Sequence, residues 1–533
     1  MAALDKKYYF KKTREGRRAG ILMPISSLPS DYGIGTMGEA ARDFVDFLAI
    51  AGQTIWQVLP IGITGFGDSP YQSFSTHMGN PYFIDLTILV EEGLLERESL
   101  DQLNFGDDPS RVDYGMLWET RYVILRWAFD TYKYDPPKGM PEAFEEFKKK
   151  MPWLHDDALF MAIKQVQNGA AWTDWPEPLK RRDRVALVQF EEAENDRIEF
   201  QKFMQFLFYR QWRALKAYAN SKGVSILGDL PIYVAMDSVE VWKEPHLFQL
   251  DEELRPTFVA GCPPDYFSAD GQLWGNPLYD WDQMVEEDYA WWVERIAFAL
   301  KLFDAVRIDH FRGFESYWAV PYGDATARRG NWLPGPAEEL FDTVKEELGE
   351  LPIVAEDLGY MTEEVHAFRE HCGFPSMKVL QFAFSPRADS DYLPHNMIEN
   401  AVVYTGTHDN DTLEGWLSVA PKEEVEFAAK YLGLSAEEGY RWGMIRGAYT
   451  TIARTVILQA QDLLGLDNAA RMNAPGQAEG NWQWRMLPDK LELWIAERLR
   501  EFCRMSGRLP EMPSDEEDEE EETEAKEPVE KDS

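Results

Sequence analysis

The chain has 533 residues, 45% of them hydrophobic and 14% aromatic, ample for a large core and incompatible with global disorder. Its 93 acidic against 54 basic residues leave a net charge of −39. That charge repels nucleic acid and an anionic membrane surface alike, and a neutral ligand suits it best.

The basic N-terminus, Met1–Arg18, lacks the apolar stretch of a signal peptide, and no apolar run approaches the ~18 residues of a membrane span. Ahead of the C-terminus, short apolar runs rich in β-branched residues alternate with helical patterns. The runs are Gly20–Ile25, Thr54–Pro60, Val224–Leu230, Ala305–Asp309, Pro352–Glu356, Val379–Phe384 and Ala401–Thr405. Near-continuous apolar strands predict burial on both faces, as in a parallel sheet. Between the first two runs, Glu39–Ala51 is helical, with Ala40, Phe44, Phe47 and Leu48 on one side, which gives one βαβ unit. Residues 86–220 carry helical patterns without a convincing strand and read as a helical insertion. Trp281–Leu302 reads as one long helix. Residues 511–533 form an acidic tail: Ser514–Ser533 holds twelve acids, two lysines and no aromatic residue, a composition that predicts disorder. Cys262, Cys372 and Cys503 lie in no CxxC spacing and read as idle thiols in a reducing cytoplasm, with no zinc or redox site formed by them.

Gly33-Ile34-Gly35-Thr36-Met37-Gly38 matches GxGxxG, but Ser26–Tyr32 separates it from the preceding strand and no acid closes a second strand ~20 residues on. It reads as a loop entering the first helix. The informative pattern lies elsewhere. Four apolar strands each end in a carboxylate: Ile226-Leu-Gly-Asp229, Val306-Arg-Ile-Asp309, Ile353-Val-Ala-Glu356 and Tyr404-Thr-Gly-Thr-His-Asp409. In a barrel of parallel strands these ends gather on one face, where active sites form. Two close carboxylates can split their pKa values into an ionised nucleophile and a protonated acid, the equipment of retaining glycoside chemistry. The same Asp and His residues could instead hold a hard cation, although no DxDxD cluster appears. Tyr71, in Asp68-Ser-Pro-Tyr-Gln, and Trp274, in Gly271-Gln-Leu-Trp-Gly-Asn-Pro, sit among loop-forming residues and offer rings to the apolar face of a sugar.

Seven motifs carry a resemblance: Ser69-Pro-Tyr-Gln-Ser, Gly228-Asp-Leu-Pro-Ile-Tyr, Gly271-Gln-Leu-Trp-Gly-Asn-Pro-Leu-Tyr, Arg307-Ile-Asp-His-Phe-Arg-Gly, Ala355-Glu-Asp-Leu-Gly, Thr407-His-Asp-Asn and Arg471-Met-Asn-Ala-Pro-Gly. From Gly20 to about Leu499 the chain resembles the amylomaltases, the 4-α-glucanotransferases of glycoside hydrolase family 77. The resemblance implies an α-amylase-like (β/α)8 barrel over residues 1–510 with no C-terminal β-domain and a substrate-covering loop at about 247–280. It implies transfer of an α-1,4-glucan segment from a donor to a maltodextrin or glucose acceptor, without a cofactor or metal. It further implies that Asp309 is the nucleophile, Glu356 the general acid/base and Asp409 the stabiliser of the distorted sugar. Arg307 would keep Asp309 ionised, and His408 would bind sugar hydroxyls. Asp229 and Tyr71 would shape the subsite of the transferred glucose, and Asp265 and Trp274 would lie on the acceptor side. Phe66 stands where some members have a tyrosine at an accessory glucan site. An α-glucan hydrolase and a catalytically dead glucan-binding protein are the rival readings.

Overall fold

The computed structural model describes residues 16–510 except 66, 265–267, 360, 388–389 and 478. Twelve strands are found among them: β1 (Arg18–Leu22), β2 (Ile55–Gln57), β3 (Ser225–Pro231), β4 (Phe258–Cys262), β5 (Gln272–Pro277), β6 (Ala305–Asp309), β7 (Ser316–Pro321), β8 (Asn331–Pro334), β9 (Ile353–Ala355), β10 (Ser376–Val379), β11 (Ala401–Tyr404) and β12 (Thr455–Gln459). Eight of them pair in parallel in the order β10-β11-β12-β1-β2-β3-β6-β9. The Ala355 N–H donates to the carbonyl of Pro375, just ahead of β10, at 3.2 Å and closes the ring. This is the expected (β/α)8 barrel. Its strands are nearly all buried, which is why they are written in Val, Ile and Leu rather than in alternation. After β12 the described chain forms helices and loops, with no further strand in a named sheet.

Three details differ from the sequence reading. The strand β12 (Thr-Val-Ile-Leu-Gln) is absent from the predicted runs. β10 ends at Val379, where a strand was expected to begin; Leu380–Phe382 is a 3-10 turn that buries Leu380 and leaves Phe382 exposed. Trp281–Leu302 is two helices, Trp281–Glu286 and Ala290–Leu302, because Asp288 and Tyr289 adopt left-handed backbone angles (φ 51° and 52°) between them. The first helix runs from Glu39 to Ile50 and buries Ala41, Phe44, Val45, Phe47 and Leu48.

The connection from β2 to β3 includes the helices Tyr114–Tyr134, Met140–Lys150, Leu154–Val166 and Arg184–Ser221. The last, 38 residues long, is kinked at Glu194. Two other connections, β3 to β6 and β6 to β9, contribute a second sheet, antiparallel in the order β5-β4-β7-β8. Both start from carboxyl ends of barrel strands, so this sheet stands over the carboxyl face. The GxGxxG segment is a packing loop. A Cβ on Gly35 would lie 1.8 Å from the Ile25 carbonyl oxygen, and one on Gly38 would lie 2.1 Å from Asp85 Oδ2. Close approach of the chain, and not a phosphate, requires those glycines. No helix among the described residues is long and apolar enough to cross a membrane.

Candidate active site at the carboxyl ends of the strands

The barrel brings Asp229, Asp309, Glu356 and Asp409 to one face from separate strands. Parallel pairing sets the first two side by side: Asp229 is level with Arg307, and Pro231 with Asp309. Arg307 points into the barrel and joins them. Its Nη1 donates to both oxygens of Asp229 at 2.8 and 2.7 Å, and its Nη2 lies 2.8 Å from Asp309 Oδ1. The Tyr71 hydroxyl also donates to Asp229, at 2.7 Å. The Asp229 side chain has no exposed surface, whereas that of Asp309 keeps 29%. A bidentate guanidinium contact is among the stronger pairings a carboxylate can make, and it fixes geometry as well as charge.

Glu356 follows β9, and the ladder continues past that strand to hold it. Its N–H donates to the Ile308 carbonyl at 3.0 Å, and its carbonyl accepts from Phe311 N–H at 3.1 Å. Its side chain accepts from two backbone amides, His310 at 2.7 Å and Leu358 at 2.9 Å. His310 reaches it by adopting a left-handed conformation (φ 52°), a strain on the order of 1–3 kcal/mol that concentrates at functional sites. Because His310 directly follows Asp309, this amide ties the two carboxyl groups to one turn.

The two acids differ electrostatically. Burial, then the charge of Asp309, pushes the Glu356 carboxyl up to about 7; Arg307 and the two amides oppose this without cancelling it. Asp309 is also raised, by burial first and then by the repulsion of Asp229 and Asp409, with Arg307 in direct contact opposing the shift without cancelling it. Arg307 is in contact with Asp309, and among the described residues no cation contacts Glu356, so of the two carboxyl groups Glu356 is the one the surroundings favour as the acid. His310 stays neutral, its imidazole pulled down to about 3 by burial and by the charge of Arg312.

Asp409 lies in the loop after β11. His408 Nε2 is 3.2 Å from its Oδ1, and the Asn473 amide donates to the same oxygen at 2.6 Å. Arg471 holds the backbone carbonyl of Asp409 and pairs with Asp411 at 2.6 Å. The imidazole of His408 stacks on Tyr71 (centroids 5.3 Å, 18° apart), and both rings approach Trp482 at 5.8 Å. Trp274, on β5, is half-buried and sets the face-to-edge contact with His310 at 4.7 Å, with Tyr233 at 6.3 Å beyond. Contacts and charge thus link Tyr71, Asp229, Arg307, Asp309, Glu356, His408 and Asp409, with Trp274 beside His310. Asp265 and Phe66 lie outside the described residues, as do residues 511–533.

Sequence reasoning assigned no role to Asn473, Arg471, Trp482 or the His310 amide. Asn473 and Arg471 do belong to a quoted motif, Arg471-Met-Asn-Ala-Pro-Gly, but nothing local says that they grip the Asp409 loop. Trp482 gives no sequence signal, since its role follows only from the stacking of two distant rings.

An arginine shared by two carboxylates, a proton-retaining glutamic acid and a ring of aromatic side chains are suited to cleaving and re-forming a glycosidic bond. Comparison with known proteins agrees. The family model described as 4-alpha-glucanotransferase, that of glycoside hydrolase family 77, matches residues 23–490. The 4-alpha-glucanotransferase of Clostridium butyricum is 47% identical over 488 residues, covering 91% of this chain and all of that protein. That of Thermus thermophilus is 47% identical over 501 residues, with 92% and 99% covered. Among solved structures, amylomaltase from Streptococcus agalactiae in complex with acarbose superposes with a TM-score of 0.90 at 42% identity, covering 92% of this chain and 99% of that one. The chain belongs to the 4-alpha-glucanotransferases of glycoside hydrolase family 77.

Proposed function

We propose that this enzyme moves a segment of an α-1,4-glucan to the 4-hydroxyl of a second glucan or glucose by double displacement, with Asp309 as nucleophile and Glu356 as acid and then base. The observation that carries the assignment is the division of charge between the two: Arg307 contacts Asp309, and burial holds the proton of Glu356 up to about 7. Asp309 attacks the anomeric carbon while Glu356 protonates the departing oxygen, and the glycosyl-enzyme bond forms as the glycosidic bond breaks. The shortened glucan leaves. Glu356, now ionised, takes the proton of the incoming 4-hydroxyl, whose oxygen displaces Asp309 with net retention. Asp409, held by Asn473, faces the positive charge that develops on the sugar ring.

In this scheme Tyr71 and His408 present their stacked rings and polar edges to the transferred glucose. Asp229 acts through its neighbours, fixing Tyr71 and Arg307 from below. Trp274 covers the acceptor side, with Asp265 assigned to the same loop. No step calls for a metal or cofactor, and three cysteines with no CxxC spacing fit a cytoplasmic location. Incubation with maltotriose tests the reading. Longer oligomers plus glucose mean transfer, glucose and maltose alone mean hydrolysis, and unchanged maltotriose means binding only. Exhaustive chelation, assayed well below the Tm, leaves the transfer rate unaltered; a loss of turnover without loss of fold that calcium or zinc restores would favour the metal reading of the strand-end carboxylates.

A further inference from the structure

A second buried cluster of titratable side chains joins three segments that the mechanism does not use. His77 lies on the connection after β2, Asp157 on the helix Leu154–Val166 and Glu240 on the short helix Val239–Lys243 that follows β3. One ligating atom from each falls within 4.8 Å of the other two. We propose that these three residues bind one divalent ion of the zinc class.

The spacing is the first reason. His77 Nδ1 is 3.7 Å from Asp157 Oδ2 and 3.9 Å from Glu240 Oε1, too far for direct hydrogen bonds. Metal–ligand bonds of ~2.0–2.2 Å separate neighbouring ligand atoms by roughly 3–3.5 Å, so an ion between them closes these gaps by only a few tenths of an ångström. The imidazole is already aimed. It stacks on Trp153 (5.4 Å, 9°) and takes the Phe298 edge at 4.7 Å, while its backbone carbonyl accepts from the Tyr209 hydroxyl.

The second reason is an orphaned oxygen. Glu240 is 4% exposed. Its Oε1 accepts from both the N–H and the hydroxyl of Thr76, at 2.7 and 2.8 Å, but its Oε2 is buried with no hydrogen-bond partner. An unpartnered buried carboxylate oxygen is costly, and a cation is the partner such an oxygen takes.

Charge is the third. The strongest charges acting on His77 are Asp157, Glu240 and Glu294, all acidic. Two buried carboxylates with one imidazole, even protonated, leave a negative excess, which a divalent ion and a neutral imidazole would cancel. One nitrogen and two oxygen donors suit zinc better than calcium, and the 18% exposure of the His77 side chain admits a water as fourth ligand. Such an ion would clamp the insertion to the connection that also carries Tyr71. Its role is structural, in keeping with a reaction that needs no metal.

The test uses the full-length, tag-free chain, stripped with chelator and titrated with zinc chloride by calorimetry near neutral pH. One zinc per chain with micromolar or tighter affinity is expected, with a rise in Tm. His77→Phe keeps an aromatic ring between Trp153 and Phe298 and should abolish the site while leaving the metal-free Tm nearly unchanged. Glu240→Gln, which retains the Thr76 contacts, should weaken it tenfold or more. Absence of a stoichiometric site, or equal affinity in His77→Phe, overturns the proposal, the latter by locating the zinc on the acidic surface. Stoichiometric binding of calcium in preference to zinc overturns the assigned class of ion.

Discussion

The barrel mouth and the His77 cluster are built from the same residue types, yet they solve the cost of buried carboxylates differently. At the mouth, Asp229 and Asp309 share the permanent charge of Arg307, and Glu356 escapes by keeping its proton. In the cluster, the charges acting most strongly on Glu240 are Asp157 and His77, with no arginine or lysine among them. The mouth is balanced from within the chain and leaves one movable proton for chemistry. In the cluster the proposed zinc supplies the balance. The difference separates a reactive site from a binding site without appeal to which residues are acidic.

The largest effects should come from breaking the division of labour at the mouth. Asp309→Ala and Glu356→Ala are each expected to lower the transfer rate by several orders of magnitude, ~10⁴-fold or more, with the fold retained. With an activated donor whose leaving group needs no acid, azide should restore part of the Glu356→Ala rate and yield the α-glycosyl azide, whereas any rescue of Asp309→Ala should yield the inverted β-azide by a single displacement. Circular dichroism and kinetics on the same samples check both statements. Substantial residual activity in Asp309→Ala would remove the nucleophile from the account.

Next in size is Asp229→Ala. It leaves Arg307 paired with Asp309 alone and the Tyr71 hydroxyl without its acceptor, and breaking one side of a buried ion pair typically costs about 3–5 kcal/mol. Both Tm and rate should fall together, whereas Asp309→Ala, whose carboxylate is partly exposed, should lose rate with little loss of Tm. Equal Tm values for the two variants would show that Asp229 does not anchor Arg307.

The proton on Glu356 has a stability signature with a definite sign. Its folded-state pKa lies above its usual 4.5, so its contribution is fully present below about 4.5 and is lost as pH rises through about 7. Glu356→Gln, which is neutral at every pH, should therefore gain stability over the parent above pH about 7 and match it below 4.5. Tm measured across that window decides; a constant difference would mean that Glu356 is ionised throughout.

Smaller still is the effect of Trp274→Ala. A ring stacked on the acceptor sugar is worth on the order of 1 kcal/mol or more, and 1.36 kcal/mol is tenfold in rate. Transfer should slow several-fold while the ratio of hydrolysis to transfer rises, because water replaces the displaced acceptor. If both activities and Tm drop in step, the ring serves only to pack against His310 and Tyr233.

The sequence revealed the barrel mouth because a parallel strand buried on both faces is a continuous apolar run, and the carboxylate at its end breaks that run where function sits. The same logic misplaced β10, since Leu380 and Phe384 are as apolar as a strand although Leu380–Phe382 is a turn. It passed over β12, which follows a helix without a carboxylate to mark its end. The four strands over the carboxyl face were hidden by their glycines, prolines and short lengths. Asn473 grips Asp409 across 64 residues of chain, and His77, Asp157 and Glu240 meet from distant parts of two connections. No periodicity encodes such meetings; they follow from the path of the barrel, which has to be known first.

The central claim is that Asp309 becomes covalently linked to sugar. In Glu356→Gln the acid and base are missing, so an α-maltosyl fluoride can load the enzyme, because fluoride leaves without a proton, while release to an acceptor is slow. Mass spectrometry of the digested protein should then find a maltosyl ester on the peptide containing Asp309, and on no other. Consumption of the fluoride with the adduct on another residue, or with none accumulating even when acceptor is withheld, would contradict double displacement through Asp309.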